Sequence, residues 1–410
     1  MDICYERCAG LDVHKKTVVG CVRVPDQGGG KRKSETKTFS TITGGLLELS
    51  DWLESHGVTH VAMESTGVYW RPVYAILEDG FELLLVNARH VKMVPGRKTD
   101  VRDCQWLAQL LECGLLRGSF IPPKPIRDLR DLTRYRKVLI RERGHHVNRV
   151  QKTLELANIK LASVATDIMG KTGRAILEQL IAGQEDPEEL VELAQGLLRK
   201  KTKELRDALV GRMTPHYRFM LKQQLAVIDE LEQHIAEFDE RIEVAMHPFE
   251  RAYELAQTLP GVAQRASQAI LAEIGVDMSR FPSSAHLASW ARICPGNHES
   301  AGKRLRTSTG KGNPWLRATL QEAAWAASRT KNSYYHALYH RLKARRGAKK
   351  AIVAVQHAML AALWHMLTHG EVHQDLGNDH FDRRNKDRIK RHHLRRLRQL
   401  GYDVELQEAA

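Results

Sequence analysis

Along residues 5–113 the chain alternates short β-rich runs with stretches of helical spacing. CAGLDVH (8–14) and TVVGCVRV (17–24) read as paired strands, and VTHVAMES (58–65) and FELLLVNA (81–88) as buried ones. Between the last two, VYWRPVYAILED has helical spacing, so 58–88 reads as a β-α-β unit. KTDVRDCQWLAQLLECG then reads as a helix that Thr99 can cap and Gly114 can stop.

From 121 to 250 almost no strand signal remains. IPPKP breaks any continuing helix and reads as a linker. In the helical segment after it, RDLRDLTRYRKVLIRERGHHVNRVQK, nine Lys/Arg stand against three Asp/Glu. Leu221, Ile228, Ile235 and Ile242 are spaced seven apart, with Leu231 and Phe238 on a neighbouring row. That spacing fits a coiled-coil seam between subunits, and it equally fits an amphipathic helix packed inside its own domain. Residues 251–370 read as a second globular unit, helix-rich and built on small residues. The last forty residues, including RRNKDRIKRHHLRRLRQ, form a basic tail, a type that is usually solvated or disordered and sometimes binds nucleic acid. The domain expectation is therefore 1–120, 121–250, 251–370 and 371–410.

Composition narrows the function classes. Of 410 residues, 63 are Lys or Arg and 49 Asp or Glu, a net charge of +14 that points to a polyanionic partner, nucleic acid first. No apolar run reads as approaching the roughly 20 residues of a membrane span, so no membrane partner is expected. The start, MDICYERCAGLDVHKK, lacks the apolar core of a secretory signal. Cys4, Cys8, Cys21, Cys104, Cys113 and Cys294 form no CxxC pair and read as reduced thiols of a cytoplasmic protein.

Four acids carry the first candidate chemistry. Asp12 lies near the end of the first strand and Glu64 at the end of a later one, while Asp100 and Asp103 are three apart on one helix and share a face. Taken singly, each has an ordinary explanation: a strand end at a turn, or an acid favouring a helix N-terminus. Convergent carboxylates need protons or cations, and hard oxygen ligands suit Mg²⁺ or Mn²⁺, two of which clamp a phosphodiester for displacement. A β-hairpin followed by β-α-β is also the order in which ribonuclease-H-like nucleases are built.

GLDVHKK, MESTGVYWRPV, LLLVNARHVKMVPGRKTDVRDCQWLAQLL and the later LPGVAQRASQAILAEIG, ICPGNHESAGKR and TGKGNPWLR closely resemble the DEDD-type insertion-sequence transposases, the bridge-RNA-guided recombinases of bacterial and archaeal mobile elements. The resemblance covers roughly residues 5–370. It implies an α/β domain similar to the resolvase RuvC at the N-terminus, a helical coiled-coil middle, and a helix-rich transposase domain with a helix-hairpin-helix-like motif. Asp12, Glu64, Asp100 and Asp103 match the family's four acids without substitution.

LPGVAQRASQAILAEIG reads as a helix-hairpin-helix able to hold a DNA phosphate through backbone N–H groups, or as a plain helical hairpin. Downstream, glycines alternate with Lys303, Arg304, Arg306, Lys311 and Arg317, cations that suit a phosphate backbone, as do Arg134 and Arg141 earlier. Chemistry alone leaves Ser300 one hydroxyl among several, with Thr307, Ser308 and Thr309 nearby. The resemblance singles out Ser300 as nucleophile, because Pro295 and Ser300-Ala301-Gly302 match the family's Pro-x-x-x-x-Ser-(Ala)-Gly stretch.

The expected function is a DNA transposase that cuts and rejoins strands through a phosphoserine link. Bound Mg²⁺ or Mn²⁺ would activate Ser300, within one subunit or across a dimer or tetramer, and a bridge RNA would select donor and target DNA. The protein would act in the cytoplasm, at the nucleoid. The alternatives are a metal-dependent junction-resolvase-like nuclease that uses water, and a non-catalytic nucleic-acid-binding protein.

Overall fold

The computed structural model describes residues 3–26, 32–87, 91, 103–296, 298–300, 302–306 and 308–404, with backbone alone at 298–300 and 303–306. The chain divides into two compact units, Met1–Ile121 and Pro122–Ala410.

The first unit is built on a mixed five-stranded sheet. Strands β1 (Cys8–Val13), β2 (Thr17–Pro25) and β3 (Arg32–Ser40) form an antiparallel meander. Helix α1 (Thr43–Ser55) leads to β4 (His60–Glu64), which pairs parallel with β1. Helix α2 (Trp70–Leu77) then leads to β5 (Glu82–Val86), parallel to β4. The strand order is β3-β2-β1-β4-β5. Period-two alternation divides the two faces. Ala9, Leu11, Val13, Val61 and Met63 join the core made with Leu46, Leu49 and Leu53 of α1 and Val73 and Leu77 of α2. Cys8 and Ala62 face the other way, onto Leu107, Leu110 and Leu111 of α3 (Asp103–Glu112). Gly114, at φ +65°, ends α3 as expected, while Thr99 and Asp100 lie outside the described residues. The polar edge strand β3 has no counterpart in the sequence reading: of its residues only Phe39 is buried.

The second unit is helical apart from one small hairpin. Two long helices, α4 (Lys124–Leu156) and, after the short α5 (Leu161–Val164), α6 (Lys171–Ala182), α7 (Pro187–Glu192) and α8 (Thr202–Leu209), α9 (Pro215–Met246), pack side by side. They run antiparallel: Tyr135 meets Phe238 at 5.1 Å between rings, and Thr153 bonds Gln224 at 3.2 Å. The heptad positions Leu221, Ile228, Ile235 and Ile242 are all buried within this chain. Of the two readings of the seam, the structure has the packed helix: these four positions are buried within their own unit.

The remaining elements are α10 (Glu250–Gln257), α11 (Gln264–Ile274), α12 (Ser284–Trp290), the hairpin β6 (His298–Ser300) and β7 (Lys303–Arg306), α13 (Pro314–Arg329), α14 (Tyr334–Arg346), α15 (Ala348–His369), α16 (His380–Arg384) and α17 (Lys386–Gln399). Contrary to the sequence reading, α15 is long and apolar enough, by length and composition, to cross a membrane. Here it is a core helix: Ala351, Val355, Met359, Leu360 and Leu363 are buried, and α10, α12, α13 and α14 pack around it.

Candidate active site

Three of the four acids lie among the described residues, all in the first unit. The parallel register pairs Leu11 of β1 with Met63 of β4, so Asp12 and Glu64 occupy the next, neighbouring positions. Leu11 and Met63 both point into the α1–α2 core; one residue on, alternation turns Asp12 and Glu64 to the opposite face, the one α3 covers. Asp103 opens α3 at its N-terminus. Asp12 is near enough to Cys104 for its charge to help raise that thiol, after burial and Cys21; the Cys104 pKa is pushed up to about 11. Asp12 itself is half-buried and lies 3.1 Å from Nε2 of His14.

Close backbone packing fixes this arrangement. A Cβ at Gly10 would stand 2.2 Å from the Cys104 carbonyl oxygen, so α3 rests on bare backbone. Glu112, buried at the far end of α3, binds Arg23 (2.8 Å) and Arg32 (2.5 Å), tying the helix to β2 and β3. Among the described residues no group of three or more His, Cys, Asp or Glu is close enough to hold a metal ion, and Asp100 lies outside them.

Ser300 lies in the second unit, as the last residue of β6. It pairs with Lys303 across the hairpin turn, where Gly302 takes a φ of +75°. The serine thus stands at a hairpin tip, with Lys303, Arg304 and Arg306 along the return strand. Gly296 N–H donates to the Ser308 carbonyl at 3.3 Å and closes the base. Lys311 is exposed beside it, whereas Arg317 donates to Gly310 O (3.1 Å) and Thr309 Oγ1 (2.8 Å), which braces the loop. At α13, Asn313 caps the Trp315 and Leu316 N–H groups at 3.0 and 3.3 Å and reaches back to Glu273.

Glu273, which the sequence reading did not single out, is buried and collects Arg134 through both oxygens at 2.7 and 2.8 Å, with Arg130 at 3.5 Å. Through this bidentate contact the Arg134 guanidinium joins α4 to α11. Arg141 is exposed, 6.0 Å from the Trp315 ring, and a base-sized aromatic face beside a cation went unnoticed in the sequence. A second buried network links Arg136 to Asp239 and Gln268, both at 2.7 Å. In the helix-hairpin-helix candidate, Gly261 (φ +82°) packs against α13, where a Cβ would meet Ala323 O at 2.3 Å. That contact gives the Pro-Gly turn a packing role.

Two family models match the chain in the order of these sites. A DEDD transposase model of the IS110 type, described as Transposase, covers residues 9–159, and one described as Transposase IS116/IS110/IS902 family covers 253–340. The chain belongs to the IS110 family of DEDD transposases. The Sinorhizobium fredii protein y4pF/y4sB, described as a transposase, is 24% identical over 335 residues, 79% of this chain and 76% of that protein. The first IS110-type match spans Asp12, Glu64, Asp100 and Asp103; the second spans Ser300 and its basic surroundings. As an IS110-family transposase the protein acts on DNA, by strand cleavage and transfer in general.

Proposed function

We propose that this transposase cuts and rejoins DNA through a covalent Ser300 phosphodiester, in a reaction dependent on Asp12, Glu64, Asp100 and Asp103. The observation that carries the reading is the register that sets Asp12 beside Glu64 on the sheet face that α3 covers. Two carboxylates side by side on one sheet face, in a protein of net charge +14 whose substrate is a polyanion, suit a place that takes up a divalent cation.

The donor set is all oxygen, which fits Mg²⁺ or Mn²⁺ and not a softer ion. Bound there, such an ion supplies charge stabilisation at a phosphate and lowers the pKa of a hydroxyl. The residues of the chain do the rest. Ser300 Oγ forms a bond to phosphorus, the bond from phosphorus to one strand-end oxygen breaks, and that oxygen leaves as a hydroxyl carrying the serine proton. A hydroxyl of a second strand then attacks the phosphoserine, restoring a phosphodiester and returning the proton to Ser300. Bonds broken and formed are equal in number, so no external energy source is needed. Lys303, Arg304, Arg306 and Lys311 neutralise the phosphates that approach the hairpin, and Arg141 beside Trp315 offers a cationic, stacking contact. Arg317 positions the loop.

The hairpin of β1 and β2 followed by β-α-β supports a RuvC-like reading of the first unit. Guidance by a bridge RNA follows the family resemblance and suits dispersed positive charge. A homo-oligomer, dimer or tetramer, would have to assemble through surfaces other than the α9 seam. The test is activity with stepped Mg²⁺ in wild type, Asp12→Ala and Asp103→Ala. Cleavage should vanish in both variants and in EDTA while DNA binding persists; cleavage in EDTA removes the metal.

A further inference from the structure

The basic tail folds back onto its own unit. Phe381 stacks on Tyr334 with ring centroids 5.3 Å apart and planes at 25°, and the Arg341 guanidinium sits 4.8 Å over the other aromatic, Phe381. Asp375 accepts from the Tyr334 and Gly377 N–H groups at 2.9 and 2.7 Å, and Arg383 donates to Leu376 O at 2.7 Å. These contacts hold α16 against α14, and an open-sided cleft of about 490 Å³ lies between α14 and α17. Arg341 and Arg345 of α14 line one side, and Arg388, His392 and His393 of α17 the other; the carboxylate on its wall is Asp382.

The charge balance of this cavity is unfavourable by itself. Helix α17 carries seven Lys/Arg against Asp387 and buries none of its residues, so no apolar face holds it in place. The last turn of α14 adds Lys343, Arg345 and Arg346. Bringing two such elements together around one cavity costs Coulomb repulsion unless an anion lies between them. The lining also matches one ligand class: planar guanidinium groups with imidazoles beside them hold phosphate oxygens. A cleft of this volume accommodates a short run of one phosphodiester backbone.

We infer that the cavity between α14 and the docked tail holds the phosphodiester backbone of one nucleic-acid strand, with Arg341, Arg345 and Arg388 on its phosphates. The inference rests on nucleic-acid binding by the transposase and is independent of the Ser300 chemistry. Phe381 is the latch: it brings the charges of the tail into the cavity without contributing charge itself.

Fluorescence anisotropy at stepped KCl, with a labelled DNA duplex in one arm and a labelled RNA hairpin in the other, tests it on the full-length protein. Arg345→Ala/Arg388→Ala should lower the slope of log Kd against log salt by about 1.4–1.8 for the strand that occupies the cavity, since each phosphate contact contributes about 0.7–0.9. Lys200→Ala/Lys201→Ala, which removes the same charge from an exposed surface elsewhere, should leave the slope unchanged. Phe381→Ala should reduce the slope although it removes no charge. The arm that responds identifies the strand as DNA or RNA. Equal effects from the cavity pair and the control pair, or a wild-type slope in Phe381→Ala, overturn the site. A failure of the serine mechanism leaves these slopes as expected, and a failure of the cavity leaves covalent DNA attachment by wild type in place.

Discussion

Gly10 of β1 and Cys104 of α3 meet backbone to backbone: a Cβ on Gly10 would stand 2.2 Å from the Cys104 carbonyl oxygen and 2.5 Å from the Ala108 nitrogen. Asp12 lies two residues along the same face of β1, and Asp103 directly precedes Cys104. The separation of helix and strand is therefore also the separation of two of the proposed ligands.

Gly10→Ala should force α3 off the sheet. Overpacking of this kind costs about 1–3 kcal/mol, so the melting transition should fall by several degrees. Strand cleavage should fall further than the loss of folded protein accounts for, because the displaced helix carries Asp103. Equal losses of folded protein and cleavage would show that the contact serves stability alone.

The thiols give a prediction in pH. Burial first, then the nearby Glu112 carboxylate, pushes the Cys8 pKa up from about 9 to about 12, whereas Cys4 is exposed. The folded protein keeps the Cys8 proton where the unfolded chain has released it. This contribution to stability is complete below about pH 9 and is lost as pH rises from there towards about 12. At pH 8, iodoacetamide should label Cys4 and spare Cys8, and urea should expose both. Folded-state labelling of Cys8 at the rate of Cys4 would contradict its burial.

The α9 seam yields a mutational test. Ile228 and Ile235 are buried against neighbours in the same chain, so Ile228→Lys/Ile235→Lys puts two charges where water cannot reach. Loss of the cooperative helical melt is the expected result. Light scattering that reports a smaller assembly with an unchanged melt would restore the intersubunit seam.

How much of this was legible in sequence depends on what each signal encodes. The alternation in CAGLDVH and TVVGCVRV reports which residues are buried on a strand, and β1 and β2 lie where it indicates. β3 escaped because RKSETKTFS, an edge strand, buries little, and its polar residues carry no apolar period. The heptad of α9 reports an apolar stripe but not what covers the stripe; α4 covers it, from positions such as Thr153, 71 residues before its partner Gln224. Asp12 and Glu64 were recognisable as strand-end acids, yet their adjacency comes from the Leu11–Met63 register, a pairing 52 residues apart that neither segment records by itself. Arg134 read as one more basic residue because its partner, Glu273, is 139 positions away.

The central claim is that Ser300 becomes covalently attached to DNA. Ser300→Ala removes one oxygen at a hairpin tip and should cost at most about 1 kcal/mol, so the variant should fold and bind DNA as the parent does. The measurement is a denaturing gel of end-labelled DNA incubated with Mg²⁺ and wild type, Ser300→Ala, or Ser308→Ala. A retarded, protease-sensitive DNA band in wild type and Ser308→Ala, absent in Ser300→Ala, is the expected result. Cleaved DNA with no retarded band in any of the three would mean that water is the nucleophile and would contradict the phosphoserine mechanism outright.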